Sequence, residues 1–139
     1  MTLRQTRDLP AMMQLLRRAI APERRPLWRA LLTALLVAVT YLALVPDPPR
    51  GVSTGWDKSN HALAFASLGF ASVWAIWPRP RQWGRLVVAL LAYGGAIEIA
   101  QSFLPPRSGE WQDLLADGVG IALGLMVASV VMALARRRG

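Results

Sequence analysis

Three polar sets stand out in this 139-residue chain because their residue types and spacing could do chemistry together: Asp57-Lys58-x-x-His61, Glu98-x-x-Gln101 and Asp113-x-x-x-Asp117. Members of each set are three or four residues apart, so each set can share one face of a helix. His61 can donate with one ring nitrogen and accept with the other, which makes His61 and Glu98 the natural acid–base pair and the candidate catalytic groups. Lys58, together with Arg107 in the stretch "PPRSGEW", suits a phosphate, and the carboxylates suit hydroxyl or amine donors. The candidate ligand-binding set is therefore Asp57, Lys58, His61, Glu98, Gln101, Arg107, Asp113 and Asp117. One histidine with Glu98, Asp113 and Asp117 could also hold a divalent cation. However, no HExxH or comparable spacing is present, and Lys58 and Arg107 compete for the carboxylates, so neither a metal nor a cofactor is expected.

These groups sit in unusually apolar surroundings. Hydrophobic residues make up 54% of the chain and charged residues 17%, too apolar a balance to wrap a soluble core in a polar surface. Four apolar segments, 28–45, 59–77, 84–104 and 112–134, each approach the roughly 20 residues that cross a hydrocarbon core of about 30 Å. Between them lie "PDPPRGVSTGW", "PRPRQWG" and "PPRSGEW", breaks crowded with proline and glycine, where a helix stops and turns. The fold class read from this pattern is all-α: a polytopic membrane protein built as a four-transmembrane-helix bundle. Trp28, Trp77 and Trp83 mark one membrane interface, and Trp56, Phe103 and Trp111 the other. The sequence contains no cysteine, which excludes a disulfide framework, a thiolate nucleophile and a Cys-ligated metal.

Charge sets the orientation. The net charge of +8 does not point to nucleic acid, because the arginines lie between apolar runs and in two terminal blocks. Arg4, Arg7, Arg17, Arg18, Arg24, Arg25 and Arg29, then Arg79, Arg81 and Arg85, then Arg136, Arg137 and Arg138 fall on one side of a four-pass chain. That side, carrying both termini, is expected to be cytoplasmic. The domain reading is a basic leader at 1–27, a membrane domain at 28–135 and a basic tail at 136–139. The leader lacks a small-x-small cleavage site and is read as retained. It is open to two readings, a short amphipathic helix on an anionic membrane face or a disordered basic tail. In this topology segment two starts outside, segment three ends outside and segment four starts outside. All three polar sets then meet at one depth, where ionised groups avoid the cost of facing lipid by facing one another. Small residues, Ala116, Gly120, Gly124 and Ala128 in segment four with Ala62, Ala66 and Gly69 in segment two and Gly94 and Gly95 in segment three, allow close helix approach and are read as packing.

The ordered pattern Asp57-Lys58-x-x-His61 with Phe65 and Leu68-Gly69, Tyr93-Gly94 with Glu98-x-x-Gln101, Pro105 with Arg107, and Asp113-x-x-x-Asp117-x-x-Gly120 resembles the VanZ-like family of small bacterial membrane proteins. The match covers about residues 40–130. Asp117 stands where asparagine is frequent in the family, and Pro106 where a glycine often precedes the arginine. The resemblance implies a multi-pass protein of the bacterial cytoplasmic membrane, with an effect on glycopeptide (teicoplanin) susceptibility or the cell envelope. It implies no reaction.

Two functional classes follow from the residues. In one, an outward-facing polar pocket binds a membrane-lipid headgroup or a lipid-linked cell-wall precursor. In the other, the protein is a hydrolase or transferase acting on such a lipid, with His61 or Glu98 as acid or base and Arg107 stabilising an oxyanion. Each residue also has a plainer role: Asp57 and Lys58 as an ion pair at a helix entrance, Asp113 as complement to a helix dipole, Tyr93 as core, and the whole network as a clamp joining three helices. An ion conduit is disfavoured, because the inner halves of the segments offer little beyond Thr33, Ser67, Ser72 and Ser129. Oligomeric state is not legible in the sequence.

Overall fold

The computed structural model describes residues 3–45, 57–105 and 110–136, with the backbone alone for 3–10 and 57. Five helices run in order: α1 (Leu3–Ala19), α2 (Arg25–Leu44), α3 (Asp57–Ala75), α4 (Trp83–Ser102) and α5 (Trp111–Arg136). Single 3-10 turns at Pro22–Arg24 and Pro80–Gln82 lead into α2 and α4. Proline opens both turns and also sits in the first turn of α2, where a helix has no intrahelical use for the missing N–H. No strand occurs among the described residues.

The four expected segments correspond to α2, α3, α4 and α5. Three stretches are long and apolar enough to cross a membrane: Pro22–Leu44, Pro80–Ser102 and Trp111–Arg136. The 19-residue α3 is not among them, since it opens with the polar run DKSNH. It is instead the central helix. Its most extensive packing is with α5, and it also packs on α2 and α4. Phe65, Leu68, Ala71, Val73, Trp74 and Ala75 are all buried, and its final stretch, 71–75, is enclosed by protein on every side. In contrast, α5 turns Leu115, Val119, Leu123, Met126, Val127 and Val130 outward, an apolar surface of the kind that belongs against lipid tails.

The α3–α5 contact depends on two glycines. A Cβ on Gly120 would run into the Ala62 carbonyl, and one on Gly124 into the Ala66 carbonyl. These backbones approach too closely for any larger residue, which makes the small-residue stripe a packing device, as read from the sequence.

Consecutive helices from α2 onward alternate in direction. At one end of the bundle, the side chain of Arg29 on α2 donates from Nε to the Ala75 carbonyl closing α3 (3.2 Å). Arg17 Nε on α1 donates to the Ala135 carbonyl near the end of α5 (2.7 Å), and Trp28 Nε1 to the Ala19 carbonyl of α1 (2.8 Å). Cations placed at C-terminal carbonyls satisfy acceptors that the helix leaves open and complement its dipole. The leader is helical over Leu3–Ala19, with Arg17 tied to α5. At the same end Trp28 packs on Phe70 and Trp74, and Trp83 Nε1 donates to the Trp77 carbonyl (3.2 Å), so Trp28, Trp77 and Trp83 do gather as expected. Phe103 and Trp111 are exposed toward the opposite end, and Trp56 lies outside the described residues.

Candidate functional site: a polar cluster where α3, α4 and α5 meet

At the other end of the bundle the start of α3, the last turns of α4 and the start of α5 come together. One turn into α3, the ring of His61 faces α5. Its Nδ1–H donates to Asp117 Oδ1 (2.9 Å), while Nε2 lies 3.7 Å from Asp113 Oδ2. The two aspartates, four residues apart, thus bracket one imidazole. Both are enclosed: Asp117 is 0% exposed and Asp113 4%. A carboxylate only accepts, so this contact places a proton on Nδ1, and in the neutral ring the lone pair then lies on Nε2.

Asp117 fits because Gly94 faces it. A Cβ at position 94 would collide with Asp117 Oδ2 and lie 3.1 Å from Phe65 Cζ. The absence of that side chain on α4 is what makes room for a carboxylate between α4 and α5. Spacing alone marked Gly94 only as a small packing residue.

Lys58 lies toward solvent. Its Nζ is 3.2 Å from Glu110 Oε2 and 3.7 Å from Asp113 Oδ1, the oxygen opposite the one that faces His61. Glu110, half exposed, just precedes α5, and its carbonyl accepts the Asp113 N–H (2.9 Å) in the first turn. The Glu110 N–H in turn donates to Glu98 Oε2 (2.8 Å), which ties α4 to the entrance of α5. Glu110 is not among the candidates that spacing in the sequence singles out. Its position immediately before an apolar run, three residues from Asp113, is the signal that could have marked it.

His61 and Glu98 do not form the hydrogen-bonded pair expected between them. His61 is taken by Asp117, and Glu98 by the Glu110 backbone. The physical reason is register: Asp117 sits one turn further along α5 than Asp113 and meets the ring, while Glu98 meets the backbone N–H of Glu110 just before α5. Glu98 Oε1 is buried and has no hydrogen-bond partner among the described residues. Even so, the two residues remain neighbours: ligand-type atoms of His61, Glu98 and Asp113 all lie within 4.8 Å of one another.

Gln101 is buried but serves another contact, donating from Nε2 to the Ala43 carbonyl at the end of α2 (2.9 Å). Tyr93 behaves as core: its hydroxyl donates to the Leu36 carbonyl (3.1 Å), lies 2.7 Å from Thr40 Oγ1, and its ring packs on Phe65. Arg107 and the Asp57 side chain lie outside the described residues. An apolar groove of about 250 Å³, lined by Ala66, Ser67, Phe70, Leu123, Gly124 and Val127, sits further along the α3–α5 seam and contains none of the polar set.

The cluster joins an oriented imidazole, two enclosed aspartates, a glutamate with one uncommitted oxygen, and a lysine at the mouth. Such a set can exchange protons, accept from hydroxyls and amines, or ligate a cation. No curated protein and no solved structure matches the chain. The VanZ/LLP1 family model matches residues 47–132, more than half of the chain and the part that holds α3, α4 and nearly all of α5. With three helices long and apolar enough to cross a membrane and this family match, the chain belongs to the VanZ/LLP1 family and is a membrane protein of the VanZ type.

Proposed function

We propose that this protein crosses the bacterial cytoplasmic membrane four times with both ends in the cytoplasm, and that its polar cluster, at the outer face, holds the headgroup of a membrane lipid or a lipid-linked cell-envelope component. Such binding would connect the protein to glycopeptide (teicoplanin) susceptibility. One observation carries the reading: Glu98 Oε1 is buried at the cluster without a hydrogen-bond partner among the described residues. A network serving only to clamp helices would use its acceptors, because an unsatisfied buried oxygen costs stability. A hydroxyl or amine of a headgroup would satisfy it, and Lys58, a third exposed beside Glu110, lies where it can exchange that partner for a phosphate. The arginine-bearing helix ends lie at the opposite end of the bundle, which supports the orientation.

The test is native mass spectrometry of the protein released from bacterial membranes. A lipid-linked species retained by wild type and lost from Glu98→Gln, at unchanged abundance, is the expected result. A Glu98→Gln protein that disappears from the membrane, or that retains the same lipid, sinks the reading in favour of a clamp. Reporter fusions after Arg81 and Arg138 are expected to read as cytoplasmic, and a fusion after Arg50 as external.

A second reading, an enzyme acting on such a lipid with His61 and Glu98 as acid and base, is favoured by the Asp117–His61 dyad. A carboxylate that fixes one ring nitrogen leaves the other free to take a proton from substrate. The two readings separate on whether purified protein alters the lipid it carries.

A further inference from the structure

We infer that His61 Nε2, Glu98 and Asp113 form a site for a divalent cation of the Zn2+ or Mn2+ type, with Asp117 as the residue that orients the imidazole. The geometry has three parts. First, one ligand atom from each of α3, α4 and α5 lies within 4.8 Å of the other two. The 3.7 Å between Nε2 and Asp113 Oδ2 is long for a hydrogen bond but close to the roughly 3.4 Å that separates two ligands each about 2.1 Å from a tetrahedral ion. Second, the Asp117 carboxylate on Nδ1 directs the Nε2 lone pair at this point, the outer-shell arrangement that holds metal-binding histidines. Asp117 is fully buried, and its position depends on the space left by Gly94. Third, Glu98, whose carboxylate joins this group, has its Oε1 buried without a hydrogen-bond partner among the described residues.

Charge supports the same conclusion. Glu98, Glu110, Asp113 and Asp117 gather around Lys58 and His61. An imidazolium between the two aspartates would balance those two acids, but it would leave Glu98 Oε1 without a partner. A dication on Nε2 engages all three helices at once. Lys58 does not occupy the position, since it is drawn to Glu110 and to the far oxygen of Asp113. One imidazole with two carboxylates suits Zn2+ or Mn2+ better than the all-oxygen shells of Ca2+ and Mg2+, and the chain has no thiolate to favour softer ions. Three protein ligands leave a coordination position open. Toward the mouth beside Lys58, that position could take a phosphate oxygen, which would let an acid-rich site hold an anionic headgroup; this last point rests on the headgroup reading above. The absence of an HExxH spacing does not count against the site, because each ligand comes from a different helix.

The experiment uses the full chain without an affinity tag, in lipid nanodiscs, stripped with a chelator and equilibrated with Zn2+, Mn2+ or Co2+. Elemental analysis should find one ion per chain. Co2+ should show the visible bands of an ion bound through an imidazole nitrogen, in place of the spectrum of the aqueous ion. Asp113→Asn and Glu98→Gln should reduce retention to background, and Asp117→Asn should weaken it by about 10–100-fold, the usual effect of losing an outer-shell partner. Wild type that retains no ion overturns the site, as does retention undiminished in both ligand variants. If neither variant folds, the Co2+ spectrum of wild type decides: an aqueous spectrum overturns the site and imidazole-type bands sustain it. Native mass spectra of the same samples separate this inference from the headgroup reading. An ion without lipid sustains the site and sinks that reading, while lipid without an ion sinks the site and leaves the reading standing.

Discussion

At one end of the α3–α5 pair, Trp28 meets Phe70 edge-on at 5.7 Å and Phe70 meets Trp74 at 5.9 Å, with the apolar Ala71, Val73 and Ala75 buried around them. At the other end of the same pair, His61, Asp113 and Asp117 are enclosed between the same helices. A single seam, with Gly120 against Ala62 and Gly124 against Ala66, aligns both ends. The aromatic end is held mainly by ring packing, although Trp74 Nε1 is buried there without a hydrogen-bond partner among the described residues. The polar end is completed only in part, because its groups demand directed partners and Glu98 Oε1 lacks one.

Four substitutions test that division. The largest effect is expected for Gly124→Leu. Its side chain would have to displace the Ala66 carbonyl, a backbone group that cannot move aside, so both ends should be lost together. Size-exclusion profiles of the detergent-extracted protein should show aggregate or no protein; a monodisperse peak of normal yield would mean that the seam does not align the ends.

Next comes Trp74→Ala, which empties part of the aromatic end and should lower stability by about 3–5 kcal/mol. A thermal melt would read that loss, while lipid retained per folded molecule should stay unchanged. A parallel loss of lipid would couple the two ends in a way the comparison does not allow.

Asp117→Ala leaves His61 Nδ1–H without its acceptor and should cost about 1–3 kcal/mol, less than Trp74→Ala but with a much larger effect on ligand retention. Melting and native mass spectrometry on the same preparation would show the ordering. Stability falling by more than for Trp74→Ala would recast the polar end as structural.

Lys58→Gln should be nearly silent in stability, because its ion pair with Glu110 is solvent-exposed, yet should weaken retention of an anionic lipid. Equal retention by the variant would remove Lys58 from the binding surface.

Much of this was legible in the chain. The helices were readable because apolar runs of membrane length alternate with proline-rich breaks, and both signals are local. The leveling of polar residues at one end was also readable: once crossings alternate, DKSNH, Glu98 and DLLAD must share an end. The partners within that end were not readable. Helical spacing places His61, Glu98 and Asp117 on faces, but the rotation of each helix about its own axis decides which face meets which. His61 therefore went to Asp117 rather than Glu98, and Gln101 to Ala43 on α2. Gly94 carried no signal beyond its small size, because its role exists only once Asp117 stands opposite.

What the sequence by itself determined is an all-helical membrane chain with its polar groups gathered at one end and most of its arginines at the other. Those properties come from hydrophobic length, breaker residues and the distribution of charge along the chain. Only the tertiary structure decided that α3 is the enclosed centre, that Gly94 makes room for Asp117, and that one imidazole stands between two aspartates within reach of Glu98. Those outcomes depend on interhelical distance and rotation, which are set by the close approach of α3 and α5 at Gly120 and Gly124 and have no counterpart in any local stretch of residues.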